Sequence, residues 1–414
     1  MKRISLPDLG VLLRTKVLGG ISLLAIGGVI LVLRPTGSLE GRADDGVDGA
    51  RNAAERARAN PRPIPPARFK LIEVTAADIV RLDRQIQPPS QIKSSSSYCL
   101  HVLRVHKTGG QFRGVEPSSS EAILKVLTDE ETGSAYFGHS PLVLTPSGVR
   151  FATMEDSLAD DRSMEQHRDQ TLAACGELGL PLNYPLKVSG AMYSLREVLK
   201  DSIANFHLGQ EEIAWTAIAY ALYLPPIHSW TNRYGERFSF DELAGELERR
   251  PMDQASCGGT HSLYALALLA RVNAEAPVLS EAARARLVNY LARCVGVVER
   301  TQQPDGSWPA WWNHELLPGG RPSGLSAADG DANRLLMTGH LAELLLYLPA
   351  DIARPQPALS RAGHWLHERL RTASNPDTEG AFCPYSHAVC VLKQISFVPV
   401  EVAPRRSAML GSPG

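Results

Sequence analysis

One stretch decides the fold class of this chain, and it reads Cys257-Gly258-Gly259-Thr260-His261-Ser262-Leu263-Tyr264-Ala265-Leu266-Ala267-Leu268-Leu269-Ala270-Arg271. Apolar side chains occupy every face of a helix drawn through it, and its one charged residue is the arginine at its end. A helix that is apolar all round is buried on all sides in a folded protein. Other helices must therefore surround this one.

Five more segments share the helical periodicity and the low charge of this stretch, and they span residues 96–106, 166–178, 211–224, 333–348 and 384–394. Amphipathic segments alternate with them, at residues 76–87, 118–131, 194–205, 239–250, 280–302 and 359–372. Several of these open with a serine and a carboxylate a few residues later, the pattern of a capped helix start. The alternation predicts an all-α protein, an α/α toroid of about six hairpins whose inner helices form a closed ring. An open α-solenoid is the alternative.

One segment does not fit the helical pattern. Residues 135–151 contain two short apolar runs, Pro141–Leu144 and Gly148–Phe151, on either side of the turn signal Thr145-Pro146-Ser147. This arrangement predicts a β-hairpin inserted between helices.

The N-terminus carries a candidate membrane anchor. Val17 to Leu33 is apolar and uncharged, basic residues precede it, and Asp44, Asp45 and Asp48 follow it. Its length is at the short end for a spanning helix, and its glycines weaken it, so a short buried helix is the alternative. The charge distribution favours a single-pass protein with residues 1–16 in the cytoplasm and the body outside it, in the periplasm of a Gram-negative source.

Three further divisions follow from composition. Residues 34–66 are rich in Gly, Ala, Asp, Arg and Pro and predict a disordered tether, and residues 402–414 predict a disordered tail. Residues 67–401 are the folded body. The net charge of the chain is −1, and no basic run is interleaved with aromatic residues, so a nucleic-acid partner has no support.

A short motif carries a resemblance to a known group of proteins. Gln302-Gln303-Pro304-Asp305-Gly306-Ser307-Trp308 resembles the Q-x-x-x-G-x-W motif of terpenoid cyclases, such as the squalene cyclase repeat, and of protein prenyltransferases. The resemblance implies a toroid in which the glutamine closes an outer helix and the tryptophan packs at the turn into the next inner helix. The acidic motifs with which such cyclases start their reaction do not occur here, so the resemblance implies the fold rather than terpene chemistry.

Three histidines, His261, His340 and His387, occupy similar places in three of the low-charge segments. If those segments are copies of one unit, the three imidazoles face one central cavity. Cys257 precedes His261 by four residues and so shares its helical face. Thiolate and imidazole are zinc ligands, so these four residues predict a zinc site. The alternative is that each histidine is a packed or hydrogen-bonded side chain at a helix end.

Acid and base catalysis is a second use for the same side chains. The ordinary pKa of histidine suits proton transfer near neutral pH, which makes His261, His340 and His387 candidate catalytic residues. Gly339-His340-Leu341-Ala342-Glu343 resembles a G-H-x-x-E stretch of the sugar 2-epimerases, which are α/α barrels, and the resemblance implies catalytic roles for His340 and Glu343.

The sequence thus predicts a membrane-anchored, extracytoplasmic toroid with a histidine-lined cavity. Its ligand is a small molecule, a lipid, a glycan or a peptide, on which the protein acts as an enzyme. A non-catalytic binding or scaffold module of the same fold is the alternative. The six cysteines are too dispersed for a disulfide framework, so most of them are expected to be buried thiols, although one pair can oxidise outside the cytoplasm.

Overall fold

The computed structural model describes residues 53–86, 95–153, 156, 163–227, 229–252, 255–317, 330–373 and 382–399. The chain divides into residues 1–39 and 40–414, and every described residue lies in the second unit. Helices dominate this part of the chain, which confirms the all-α class. They are α1 (Ala76–Gln85), α2 (Ser96–His106), α3 (Ser120–Thr128), α4 (Glu130–Phe137), α5 (Gln170–Glu177), α6 (Leu195–Ala204), α7 (Ile213–Tyr223), α8 (Phe240–Arg249), α9 (Thr260–Glu275), α10 (Glu281–Thr301), α11 (Asp331–Tyr347), α12 (Gln356–Thr372) and α13 (Phe382–Ile395).

The six low-charge segments form α2, α5, α7, α9, α11 and α13, and each of these helices packs against the next. The last one, α13, packs against both α11 and α2, so the contacts run in a closed order. Most of their residues are buried, and in α7 every residue is buried. The hydrophobic core therefore lies in and around these six helices.

The amphipathic helices lie against the outside of this set. α3 packs on α2, α6 on α5, α8 on α7 and α9, α10 on α9, and α12 on α11 and α13. The predicted caps are present. The side-chain oxygens of Ser119, Ser239 and Ser280 each accept a hydrogen bond from a backbone N–H in the first turn, and Ser194 and Glu197 form a capping box.

The strands are short and pair in twos. β2 (Leu142–Thr145) and β3 (Gly148–Phe151) form the predicted antiparallel hairpin, with Leu142 opposite Phe151. The start of the predicted hairpin was wrong, because α4 occupies residues 130–137. Asp129 caps that helix at Thr132, and Gly138 ends it in the left-handed conformation.

Three further strand pairs have no counterpart in the sequence prediction. β4 (Pro185–Val188) pairs with β5 (Ala191–Ser194), and β6 (Trp230–Thr231) pairs with β7 (Arg237–Phe238). β1 (Ile72–Glu73) and β8 (Ser396–Phe397) pair in parallel and bring the two ends of the folded body together.

The second half of the predicted tether is folded, so that prediction was wrong for residues 53–66. Ala53, Ala54 and Ala57 are buried, and the backbone N–H of Arg62 donates to the carbonyl of Leu222. The Arg62 guanidinium donates through Nη1 to the carbonyls of Ala221 and Leu224, at 2.7 Å each. A segment of poor hydrophobicity is ordered here because its arginine satisfies carbonyls that the end of α7 leaves open.

The predicted anchor, residues 17–33, and the predicted tail, residues 402–414, lie outside the described residues. So does the first part of the predicted tether, residues 34–52. Among the residues that are described, none of the helices combines the length and the apolar content that a membrane span requires.

The Gln302–Trp308 motif joins three helices. The Gln302 side-chain amide donates to the carbonyls of Gly306 and Ala358, which links the end of α10 to α12. Trp308 is fully buried, and its indole N–H donates to the carbonyl of Val298 in α10 at 2.6 Å. Its backbone N–H donates to Thr338 in α11. The motif thus fixes α11 against the two outer helices that flank it.

Candidate metal centre

Three of the predicted zinc ligands, Cys257, His261 and His340, form one cluster. The second residue of α9 is His261, the 3-10 turn before α9 supplies Cys257, and the middle of α11 supplies His340. One ligand atom from each lies within 4.8 Å of the other two. Ligands of a tetrahedral zinc ion lie roughly 3 to 4 Å apart, given bonds of about 2.0 to 2.3 Å. Small side-chain rotations are therefore enough to close the cluster on an ion.

The fourth predicted ligand, His387, lies beside this cluster but belongs to a different set. Its ring centroid is 3.7 Å from that of His340. It forms a second triad with His101 and Cys383, whose ligand atoms are again within 4.8 Å of one another. The close approach of α11 and α13 depends on Gly339, because a Cβ there would lie 3.0 Å from Cβ of His387.

The three predicted histidines meet in space, although they do not occupy the same position in their helices. His261 stands in the first turn of α9, His387 in the second turn of α13, and His340 in the middle of α11. The difference arises because α11 begins with an exposed polar turn, starting at Asp331, before its buried part. The prediction of equal positions was wrong, whereas the three rings do converge. The role of these residues as ligands remains a prediction.

The sequence prediction missed four residues of this centre: His101, Cys383, His167 and Glu212. His167 and Glu212 form a third triad with His261, and all three residues are partly buried. A common feature connects these residues. Each of the six inner helices places one histidine or glutamate at this centre, from its own turns or from the residues just before it, namely His101, His167, Glu212, His261, His340 and His387.

Hydrogen bonds orient the imidazoles so that Nε2 is left for the centre. Nδ1 of His261 lies 3.1 Å from a carboxylate oxygen of Glu212, and Nδ1 of His387 lies 2.5 Å from one of Glu343. Nδ1 of His340 lies 3.0 Å from the carbonyl of Leu336. Carboxylates and carbonyls at Nδ1 fix the tautomer of metal-binding histidines and make Nε2 a better ligand. Nε2 of His340 is buried and has no hydrogen-bond partner among the described residues.

The two triads differ in charge. Hydrogen bonding to Cys383 lowers the pKa of Cys257, and the neighbouring His340 and His261 act in the same direction, which favours the thiolate form of Cys257. Against the effect of burial, hydrogen bonds to Cys257 and Glu212 raise the pKa of His261 to about 9. On the other side of the centre, burial lowers the pKa of His101 and His387, and the neighbouring histidines and Arg104 act in the same direction, which favours neutral rings.

Two connected spaces surround the donors. A void of about 60 Å³ lies beside them and is lined by Cys257 and His261 of the first triad and by all three residues of the second. This volume suits an ion with a water molecule, since a single water needs only about 10 to 15 Å³ of such space. A larger cleft of about 780 Å³ shares His167 and His261 with this void, and its lining includes many polar and charged side chains. A ligand of substantial size can therefore reach the donors from one side.

Unfavourable backbone conformations occur at this side of the centre. Asp169, Glu212 and Cys257 have positive φ angles of 62°, 47° and 50°, and each stands just before an inner helix. Side-chain-bearing residues rarely adopt this region, which costs on the order of 1 to 3 kcal/mol each. The folded ring maintains this strain at three successive helix starts around one cleft, as is common at functional sites.

The opposite side of the centre is an ion-pair network. Arg104 lies 3.1 Å from Glu343 and 3.5 Å from Glu177, and these side chains are almost completely buried. Glu343 therefore contacts His387 and Arg104, while no hydrogen bond joins it to His340 among the described residues. The sequence prediction paired His340 with Glu343 in catalysis. In the structure, Glu343 lies behind the centre and does not line the cleft.

Comparisons of the chain with family models, with curated proteins and with solved structures found no match.

Proposed function

We propose that this protein is an α/α toroid, related in fold to the terpenoid cyclases and protein prenyltransferases, with a zinc ion held in its central cavity by Cys257, His261 and His340. We propose further that it is an enzyme, and that a lipid, glycan or peptide reaches the zinc ion through the cleft lined by His167 and Glu212. The closed order of contacts among the six inner helices supports the ring. The alternative is a binding module with the same fold.

The observation that carries the proposal is the orientation of the histidines. Each candidate ligand ring has its Nδ1 occupied by an acceptor, Glu212 for His261 and Leu336 for His340, and Nε2 of His340 is buried without a partner among the described residues. A buried polar atom without a hydrogen bond costs about 1 to 3 kcal/mol. A zinc ion satisfies that nitrogen and neutralises the Cys257 thiolate at the same time.

The ligand count supports catalysis rather than a structural role. Structural zinc sites have four protein ligands, whereas catalytic sites have three and leave one position open. Here the first cluster supplies three, and the cleft meets it at His261. A zinc ion at an open position lowers the pKa of bound water and polarises carbonyl groups. Glu212 and His167, 3.7 Å apart, stand on the open side and can exchange a proton with a ligand in the cleft.

Metal analysis tests the zinc centre. The full chain, purified in detergent with a reductant and without a chelator, is expected to contain zinc. Cys257→Ala is expected to lose zinc from this cluster, whereas Cys294→Ala, at a buried cysteine in α10 away from the centre, retains the wild-type content. Wild-type protein that binds no zinc on reconstitution overturns the proposal.

A second measurement separates the enzyme from the binding module. With cobalt in place of zinc, azide or acetohydroxamate added to the protein is expected to change the visible spectrum, because an open position accepts the added ligand. An unchanged spectrum indicates a closed, structural site and favours the non-catalytic module.

One geometric feature favours a second candidate function, a cysteine-dependent transferase or hydrolase. Glu212, His261 and Cys257 form an ordered series, in which the carboxylate orients the imidazole and the imidazole bonds the thiolate. This is the arrangement of an activated nucleophile with its base. Cys257 also stands just before the N-terminus of α9, where backbone N–H groups can stabilise negative charge.

Thiol labelling distinguishes the two candidates. A zinc-bound Cys257 reacts slowly with iodoacetamide until a chelator is added, whereas a nucleophilic Cys257 reacts fast in the absence of any metal. Cys294 and Cys175, both buried, are internal controls in the same digest.

We propose also that the protein is anchored in the membrane by residues 17–33, with the body outside the cytoplasm. The support is the apolar stretch with basic residues before it and acidic residues after it. A reporter that is active only outside the cytoplasm, fused after Gly414, is expected to be active. Activity of a cytoplasmic reporter at the same position contradicts both the anchor and the compartment.

A further inference from the structure

A second set of zinc-type donors lies directly beside the first. His101 from α2, with Cys383 and His387 from α13, have their ligand atoms within 4.8 Å of one another. No member of this set belongs to the cluster of Cys257, His261 and His340. Both sets have the same composition of one thiol and two imidazoles, a combination that occurs in zinc sites.

Hydrogen bonds orient this second set as well. His101 Nδ1 lies 2.6 Å from Oγ of Ser386, and that hydroxyl donates to the carbonyl of Cys383 at 2.9 Å. The hydroxyl therefore accepts from the ring, which places the proton of His101 on Nδ1 and leaves the Nε2 lone pair free. His387 donates from Nδ1 to Glu343, which is in turn held by Arg104. Both rings thus have the tautomer of a zinc ligand.

The two sets match each other member by member. Cys257 and Cys383 are hydrogen-bonded through their sulfurs, the rings of His340 and His387 lie 3.7 Å apart, and His261 and His101 stand on the outer sides. The paired rings therefore place the two sets side by side.

One ion does not account for these donors. A tetrahedral zinc ion takes four ligands, so it leaves two of these six side chains buried without a metal. His101, Cys383 and His387 are by themselves enough donors to hold an ion of their own.

We infer that His101, Cys383 and His387 bind a second zinc ion beside the one held by Cys257, His261 and His340. The inference rests on the proposed zinc centre and extends it, because two adjacent ions hold one ligand group between them. An oxygen or sulfur atom of the ligand that enters the 60 Å³ void is in reach of both triads. The ligand class is therefore one with a group that can bridge two metals, such as a carboxylate, a phosphate, a thiol or a hydrated carbonyl.

The number of zinc ions bound per chain tests the inference. The full chain is reduced, reconstituted with excess zinc and then freed of unbound metal before the measurement. Wild-type protein is expected to hold two zinc ions per chain, and His101→Ala and Cys383→Ala one each. His106→Ala in the same helix α2 and Cys390→Ala in the same helix α13 are matched controls that keep two. Circular dichroism of each variant shows whether it has folded.

Cobalt provides a signature that does not depend on the variants. Two adjacent high-spin cobalt ions couple magnetically, so the electron paramagnetic resonance signal that grows with the first equivalent is expected to decrease as the second binds. A wild-type content of one ion, with a signal that persists at saturation, overturns the second site and leaves the proposed zinc centre intact. A wild-type content of zero overturns both.

Discussion

His387 donates from Nδ1 to a carboxylate oxygen of Glu343 at 2.5 Å, and both side chains are almost completely buried. The same carboxylate pairs with Arg104, which reaches Glu177 as well. Glu343, Arg104 and Glu177 thus form a chain of ion pairs that begins at His387. Glu343 sets the orientation of the His387 ring.

Glu343→Gln tests this orientation. The amide retains the size of the side chain but accepts from His387 less strongly, so the affinity for the metal bound by His387 is expected to fall about 10- to 100-fold. Competition with a chromophoric chelator measures the change. Glu177→Gln is the control, since it removes the other partner of Arg104 and does not contact a histidine of the centre. Equal affinities for Glu343→Gln and wild type contradict the role given to Glu343.

Gly306 in the Gln302–Trp308 motif provides a test of the contact between α10 and α12. Its φ is +95°, and a Cβ there would run into the carbonyl of Arg361 in α12. Gly138 has the same φ of +95°, and nothing lies within 4 Å of a Cβ at that position. The control Gly138→Ala is expected to cost about 1 to 2 kcal/mol, which is the cost of the left-handed conformation.

Gly306→Ala is expected to lower the free energy of unfolding by about 1 to 3 kcal/mol more than Gly138→Ala, because it adds overpacking to the same backbone strain. Urea unfolding of the two variants measures the difference. Equal losses show that the motif does not hold the two helices in close contact.

The inner helices were predictable from the sequence because a buried helix has to be apolar on every face. α7 and α9 show this pattern without ambiguity. Much of the centre followed from the same reasoning, since a histidine such as His261 in an apolar helix is noticeable. His101 and Cys383 were missed because only the histidines with similar places in their segments were grouped, and only the packing of α13 on both α2 and α11 brings His101 and Cys383 to the other donors.

The folding of residues 53–66 was not predictable, for a different physical reason. Composition reports how much apolar area a segment can bury on its own, and this segment can bury little. Its order comes from partners that exist only after the ring has formed, above all the carbonyls of Ala221 and Leu224 that receive Arg62.

Arg62→Ala tests whether this segment is part of the folded body. The variant loses the two hydrogen bonds that the buried, charged guanidinium donates to carbonyls at the C-terminal end of α7. Its free energy of unfolding is expected to be about 2 to 4 kcal/mol lower than that of the wild type. Arg68→Ala removes an exposed arginine that donates a hydrogen bond to the side chain of Gln394. This variant is expected to change the free energy of unfolding by less than about 1 kcal/mol. Chemical unfolding of both variants measures the contrast. If the two variants are equally stable, residues 53–66 contribute nothing to the fold.

Glu165 lies beside the start of α5, and its raised pKa makes the stability of the fold depend on pH. Burial raises its pKa to about 8, and the neighbouring Asp169 adds to the effect, although the carboxylate accepts two backbone hydrogen bonds. The folded protein therefore keeps a proton that the unfolded chain releases near pH 4.5. Between these two pKa values the folded state binds more protons, so a rise in pH favours unfolding.

The Glu165 contribution is expected to lower the free energy of unfolding as the pH rises from about 4.5 to 8, by at most about 1.4 kcal/mol per pH unit. Glu165→Gln cannot titrate, so its unfolding free energy is expected to fall less steeply over this range, whatever constant loss the amide introduces. Urea unfolding at pH 5, 6, 7 and 8 on both proteins gives the two slopes. Parallel curves contradict the prediction and indicate that Glu165 is already ionised in the folded protein, held by the N–H groups of Asp169 and Thr171.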